Sequence, residues 1–534
     1  MKLTNINNFL ISKKNTNILL IFSICFSIYC GLTIGQSWDQ GYSLMLGKIT
    51  LDYFFSFGAI DNQIPYSEHY STLYYTTQYF LTNLFPSQYR IEISHLVNLA
   101  FSLGTIYGIK KLSKELFNYK VANITFVILF FFPIYFGHMS FNSKDTILAF
   151  SHVWIVYLIF KYLKNQNIKE KSNSYVIYIG ILASFATGIK FPFLGSLIPI
   201  FLFMIIDIFF FKKIVKENFK LKRFFLDIIK CFFIFYFLLV IFWIEVHPNI
   251  ITLPLTFLEQ ASQISYGWPY NLTNGSYSDS NEVPPTYFLI NLIYKSPEYF
   301  LISYVFFLIL MFKSKKFFSK KFEFFNYKLF FIISILIFPS LLLSIMPFPM
   351  YDGVRLFLWS LPYFCIIPAL TIYYLIKNIN HIKAKLALLF VSVLIFYFLF
   401  NFFSMTPYQY TYLNSFVGDK NHAYQKFEND YWGSSLKELI KKANFENNKT
   451  LSVATCGVNL SIVEEYLKRK KNINFKLVHS DQADFIIMTN RVILLDDNVN
   501  NSKKLTNCFD KFPGNNFSEV KRNGLILSVI RQVI

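Results

Sequence analysis

Apolar residues along this chain arrive in long blocks rather than at the spacing of an amphipathic helix. The blocks lie near 18–35, 93–109, 121–137, 146–162, 174–188, 193–211, 224–244, 299–312, 329–346, 356–376 and 386–403. Most approach the roughly 20 residues that a helix needs to cross a bilayer. The pattern predicts a polytopic α-helical membrane protein with about eleven transmembrane helices. After about residue 404 charges become frequent and apolar runs shorten to strand length. Residues 451–456, 475–478 and 483–489 read as strands and 461–471 as a short helix. Asn523-Gly524 has the signature of a hairpin turn between β-rich flanks. The chain thus divides into a membrane domain, 1–403, and a small α/β domain, 404–534.

Composition supports this division. The 534 residues are 54% hydrophobic and 15% charged, against roughly 25% charged in soluble domains. Disordered, coiled-coil, collagenous and small disulfide-rich chains are excluded. The formal charge of +20 gains meaning from its placement. Connections near 110–120, 161–171, 212–223, 313–328 and 377–385, with the N-terminus, hold 26 Lys and Arg. The alternate connections hold six: Lys48, Arg90, Lys144, Lys190, Lys295 and Arg355. Genome bias toward Lys does not alternate. The positive-inside rule therefore puts the N-terminus in the cytoplasm. It puts the 404–534 domain and the long loops 36–92 and 245–298 outside an inner (plasma) membrane. Membrane lipids, not nucleic acid, answer the basic charge. The first block reads as an uncleaved anchor, because no small-x-small site follows it. Cys25, Cys30, Cys231 and Cys365 fall in spans. Cys456 and Cys508 fall in the outer tail, where a disulfide is permitted without being implied. No Cys/His metal spacing occurs.

The rare outer cations sit beside carboxylates. Asp39 follows the first span, in Trp38-Asp39-Gln40-Gly41-Tyr42, ahead of a run to about Phe57 that suits an interfacial helix. His138-Met139-Ser140-Phe141-Asn142-Ser143-Lys144-Asp145 follows the third span. Lys190 is the sole charge in a short turn, and Tyr351-Asp352-Gly353-Val354-Arg355 opens the tenth span. Each has a plainer reading: Asp39 as a solvated span end, and Asp145 as a helix N-terminal charge. Together they suit a lipid-linked phosphate as leaving group. Lys190 and Arg355 would neutralise it as the bond breaks, and Asp39 would take the proton of the incoming nucleophile. That is sugar transfer from a polyprenyl phosphate, with inversion.

These residues also carry a resemblance. The chain resembles the GT-C membrane glycosyltransferases of family 39, the protein O-mannosyltransferase and lipid A aminoarabinose transferase kind. The matching features are Asp39 beyond span one, Asn142-Ser143-Lys144-Asp145, the lone Lys190, and the segment from Tyr351 to Arg355. Pro284-Pro285-Thr286-Tyr287 with Lys295-Ser296-Pro297 is also similar. Pro407-Tyr408-Gln409-Tyr410-Thr411-Tyr412-Leu413-Asn414 and Asp430-Tyr431-Trp432-Gly433 resemble a bacterial branch. Gln40 stands where the family often has Glu, and Ser143 where it has Pro. The resemblance implies Asp39 as catalytic base. It makes His138, Asn142, Lys144, Asp145, Lys190, Tyr351 and Arg355 substrate-binding residues. The donor would be a polyprenyl-phosphate sugar, the acceptor a glycan, lipid or protein, and no cofactor or metal is implied. Asp430-Tyr431-Trp432-Gly433 either binds sugar or packs the outer domain.

The rival reading is a flippase, transporter, polymerase or ligase for lipid-linked glycans. A transporter places ionisable groups mid-span, whereas Asp207, Asp227 and Lys230 fall toward the cytoplasmic span ends.

Overall fold

The computed structural model describes residues 13–58, 71–252, 254–255, 259, 267–346, 348–445, 450–470, 473–495 and 504–533. Parts of both long outer loops therefore lie outside the described residues. All eleven apolar blocks fall on helices. Among the described residues, however, six helices are long and apolar enough to cross a membrane. A seventh is obtained if Tyr287–Lys295 and Glu298–Lys313, which meet at 113°, count as one span. The difference from eleven has physical causes. Pro133 splits block 121–137 into Tyr119–Phe130 and Pro133–His138. Block 193–211 is cut into Phe193–Ser196, Ile198–Ile206 and the wider turn Asp207–Phe211, with Pro192 and Pro199 among the breakers. Arg90–Leu116 is 27 residues long, but Ser94, His95, Asn98 and Ser102 inside it lower its hydropathy.

The helices enclose one another unequally. Asp145–Asn165 and Arg355–Lys377 are almost wholly buried within the protein. Leu221–Phe242 and Ile382–Ser404 expose Phe232, Phe233, Phe237, Phe396 and Phe400, as lipid-facing helices should. The expected helix in the first loop is present as Gln40–Phe55. In the 245–298 loop, β1 (Tyr270–Thr273) and β2 (Ser276–Asp279) form a hairpin through Asn274 and Gly275, both at positive φ.

Beyond Ser404 the chain first packs back onto the membrane part, then forms a mixed sheet. Its strands are β3 (Thr450–Cys456), β4 (Asn474–Leu477), β5 (Phe485–Thr489), β8 (Asn516–Arg522) and β9 (Leu525–Gln532), in the order β4-β3-β5-β9-β8. β3 pairs parallel with β4 and β5, and β9 antiparallel with β5 and β8. β6 (Val492–Leu495) and β7 (Lys504–Asn507) pair separately. The β8–β9 turn is Asn523-Gly524, both at positive φ, as the sequence pattern requires. Cys456 and Cys508 are joined in a disulfide, while the four cysteines of the helical part are free.

Candidate active site

One end of the helical assembly gathers the cations of the lysine-poor connections. Asn142 begins the arrangement: its Oδ1 accepts from the backbone N–H groups of Lys144 (3.2 Å) and Asp145 (3.0 Å). This side-chain turn starts the helix Asp145–Asn165 and sets Asp145 at its positive end. Asn142 Nδ2 donates to Asp145 Oδ2 at 3.0 Å and to His138 Nδ1 at 3.3 Å. With Nδ1 accepting, a neutral His138 ring carries its proton on Nε2, facing the Tyr431 hydroxyl at 3.0 Å.

Asp145 is the hub. Lys190 donates to its Oδ1 at 2.6 Å, and Arg355 Nε lies 3.4 Å from Oδ2. Lys190 reaches it because Lys169–Ile189 ends at that residue, where the chain turns extended before Pro192. Arg355 is buried, its guanidinium 4.9 Å from the Tyr351 ring and 4.5 Å from Trp432, a stacking that favours Arg over Lys. It also pairs with Asp352 at 2.8 Å. Asp352 and Gly353 are both left-handed, at φ 59° and 67°, which lets Asp352 fold back toward Arg355 within one tight turn. Tyr287 of the Pro-aromatic motif holds that turn by accepting from the Gly353 N–H at 2.9 Å.

Asp39 stands at the side of this group. It pairs with Lys144 at 3.1 Å and its side chain keeps 32% exposure. Burial opposes ionisation, but the charges of Lys144, Arg355 and Lys190 outweigh it and hold the carboxyl below its ordinary value. Gln40, where the resembled family often has Glu, is buried and donates to Ser94 while accepting from or facing His95 Nε2 at 3.0 Å.

All eight candidate residues therefore come together at one end of the fold. The 404–534 tail supplies partners that the sequence pattern did not single out. Arg491 hydrogen-bonds Asp352 and lies 3.7 Å from Glu428. Lys295, one of the six rare cations of the sequence pattern, is buried with its ammonium 5.3 Å from the Tyr431 ring. Burial pushes Glu428 up to about 7, although Arg491 opposes the rise. The Asp430-Tyr431-Trp432-Gly433 motif divides. Asp430 accepts from Tyr410 and from the N–H groups of Ser434 and Ser435, a packing role, whereas Tyr431 and Trp432 face His138 and Arg355. In the other tail motif, Asn414 Nδ2 donates to the carbonyls of Ile293 and Ser296. Glu298 accepts from Tyr412 and the Ser415 N–H. Together they fasten the bend between Tyr287–Lys295 and Glu298–Lys313.

Among the described residues no group of three or more His, Cys, Asp or Glu is placed to hold a metal ion. The charges inside the spans are spent on structure. Asp207 accepts from the N–H groups of Lys213, Ile214 and Val215. Asp227 accepts from Tyr162 at 2.8 Å and pairs with Arg223 at 3.6 Å.

Comparison with known proteins gives one family match and a shared fold. Residues 75–243 match the family model of dolichyl-phosphate-mannose-protein mannosyltransferases. No curated protein is similar enough in sequence to count as a relative. Three solved structures share the fold at low identity. ArnT from Cupriavidus metallidurans in the apo state has TM-score 0.52 and 11% identity, over 90% of this chain and 94% of its own. The same protein bound to undecaprenyl phosphate has TM-score 0.50 and 10% identity, over 97% and 98%. The oligosaccharyltransferase AglB from Archaeoglobus fulgidus, in complex with an inhibitory peptide and a dolichol-phosphate, has TM-score 0.50 and 10% identity, over 89% and 69%. The family match over residues 75–243 and the shared fold lead to one conclusion: that segment is similar to the dolichyl-phosphate-mannose-protein mannosyltransferases, and the chain has the multi-pass helical fold seen in ArnT.

Proposed function

We propose that the chain moves a sugar from a polyprenyl-phosphate donor to an acceptor at the outer face of an inner membrane, with Asp39 as general base. An N-terminus inside and a 404–534 domain outside accompany this reading; its support is the alternation of basic residues among the connections. Charge balance carries the mechanism. Lys144, Lys190, Arg355 and Arg491 face Asp39, Asp145 and Asp352, leaving one positive charge in excess. With Glu428 ionised, adding Lys295 and Glu428 leaves that excess unchanged. A sugar phosphodiester of a polyprenol carries one negative charge and completes the balance.

The balance persists through the reaction. The acceptor O–H or N–H nucleophile attacks the anomeric carbon from the face opposite the phosphate. The bond from that carbon to the phosphate oxygen breaks, and its electron pair leaves with the polyprenyl phosphate, which becomes doubly negative. The acceptor proton passes to Asp39, which becomes neutral. Arg355 offers a buried Nε with no hydrogen bond among the described residues, and Lys190 a point charge. Both act where negative charge grows in the transition state. The product is inverted at the anomeric carbon.

Mass spectrometry of glycans and glycolipids from a deletion strain tests the reading. Loss of one sugar linkage, with its polyprenyl-phosphate donor accumulating, is expected. Accumulation of an oligosaccharide on its lipid carrier with every linkage intact overturns it in favour of a flippase.

A further inference from the structure

Arg491 is the most distant member of the charge group in sequence, and it comes from the outer sheet domain, between β5 and β6. Its guanidinium is buried against Asp352 and rests 4.4 Å from the Trp268 ring. Asp352 in turn holds Arg355, and Arg355 touches Asp145, which holds Lys190. The chain of alternating charges thus runs unbroken from the outer sheet to the cations assigned to the donor phosphate.

The surroundings of Arg491 are built to keep it still. Asn490 donates to the carbonyls of Tyr424 and Phe427 and accepts from the Asn429 N–H at 2.9 Å. Trp268 Nε1 donates to the Val492 carbonyl at 3.0 Å. Behind the backbone of Arg491, its carbonyl accepts from the Cys508 N–H at 3.0 Å, and Cys508 is bridged to Cys456. The next residue, Gly457, lies so close that a Cβ there would meet Arg491 Cβ at 2.4 Å. Disulfide, glycine and asparagine converge on one arginine whose side chain leaves its own domain.

We propose that Arg491 is a positioning residue of the donor site. By holding Asp352 it aims the Arg355 guanidinium at the leaving phosphate, so the outer domain is a working part of the transferase. The inference rests on the donor role of Arg355 given above. Removing Arg491 leaves Asp352 buried against a single cation, which draws Arg355 away from the phosphate.

Binding of undecaprenyl phosphate to the purified full chain in detergent, followed by tryptophan fluorescence, tests this. Arg355→Ala is expected to weaken binding about tenfold or more, and Arg491→Met by a similar order. Arg491→Lys, which keeps the charge, should recover most of the affinity. Asp352→Asn combined with Arg491→Met should recover part of it, because no carboxylate is then left unpaired. A purely structural loss would worsen in the double variant. Thermal melts confirm that each variant is folded, and Arg491→Lys carries the test if Arg491→Met is not. Unchanged affinity in Arg491→Met beside a weak Arg355→Ala overturns the positioning role. Unchanged affinity in both overturns the donor role of Arg355 on which it stands.

Discussion

Asp39 owes its readiness to neighbours rather than to high basicity. Cations hold it ionised, so in the proposed reaction it accepts a proton only as the nucleophile bonds to carbon and becomes acidic. Asp39→Asn is expected to lower transfer by about 10²–10⁴-fold in purified, folded protein; undiminished turnover rules the base assignment out. A lowered carboxyl contributes stability above its unfolded value of 3.8, lost as pH falls through the folded value. The Asp39-dependent acid limb of the pH–rate profile should therefore lie below about pH 4. Glu428 behaves in the opposite sense. Its folded value is raised from 4.5 to about 7 by burial, so stability from this group is complete below 4.5 and is lost as pH rises through 7. Glu428→Gln should bring melting temperatures at pH 5.5 and pH 8 closer together; an unchanged gap counts against it. Legibility at this scale depended on rarity. Lys144, Lys190 and Arg355 stood out because cations are few in alternate connections of the membrane part. Arg491 and Glu428 lie in a tail where charges are common, and only their pairing through space distinguishes them.

Helices and turns show a second kind of legibility. Every apolar block is helical, and the strands of the tail fall close to where alternating texture placed them. The number of full crossings was harder to read, because hydropathy registers apolar length and not continuity. Pro133 converts one block into two short helices, and the second brings Gly137 against the chain at Tyr410. A Cβ on Gly137 would lie 2.1 Å from the Tyr410 backbone nitrogen. Gly137→Val should therefore force apart the short helix Pro133–His138 and the Pro407–Asn414 motif, with a loss of about 1–3 kcal/mol or more. A thermal melt in detergent reads this directly, and a melting temperature equal to that of the parent would refute the close approach. The 113° bend at Ser296 was not legible either. It is stabilised by Asn414 and Glu298, whose partners lie more than a hundred residues away.

At the scale of the whole molecule, the helical part and the sheet share one charge group. The first exit from the membrane is tied to the tail: the Gly35 N–H donates to the Ser434 carbonyl, and the Gln36 N–H to the Tyr466 hydroxyl at 2.7 Å. Lys437 pairs with Glu92 at 3.2 Å. Composition could separate the two parts but could not announce that they interlock. The Cys456–Cys508 bridge closes a loop across the sheet domain, and replacing both cysteines by serine should cost about 2–4 kcal/mol. Chemical denaturation of the outer domain, read by near-ultraviolet circular dichroism, checks this; an unchanged midpoint would show the bridge to be dispensable.

The tie between Gly35 and Ser434 also has a consequence for biosynthesis. Asp39 emerges from the ribosome well before Trp432 and Arg491. Until they arrive, the charge group at the end of the helices is incomplete and the first loop has no wall to lean on. A ribosome that stops after the last span releases a chain that has inserted but lacks Arg491. Only chains extended past Arg491 complete the charge group.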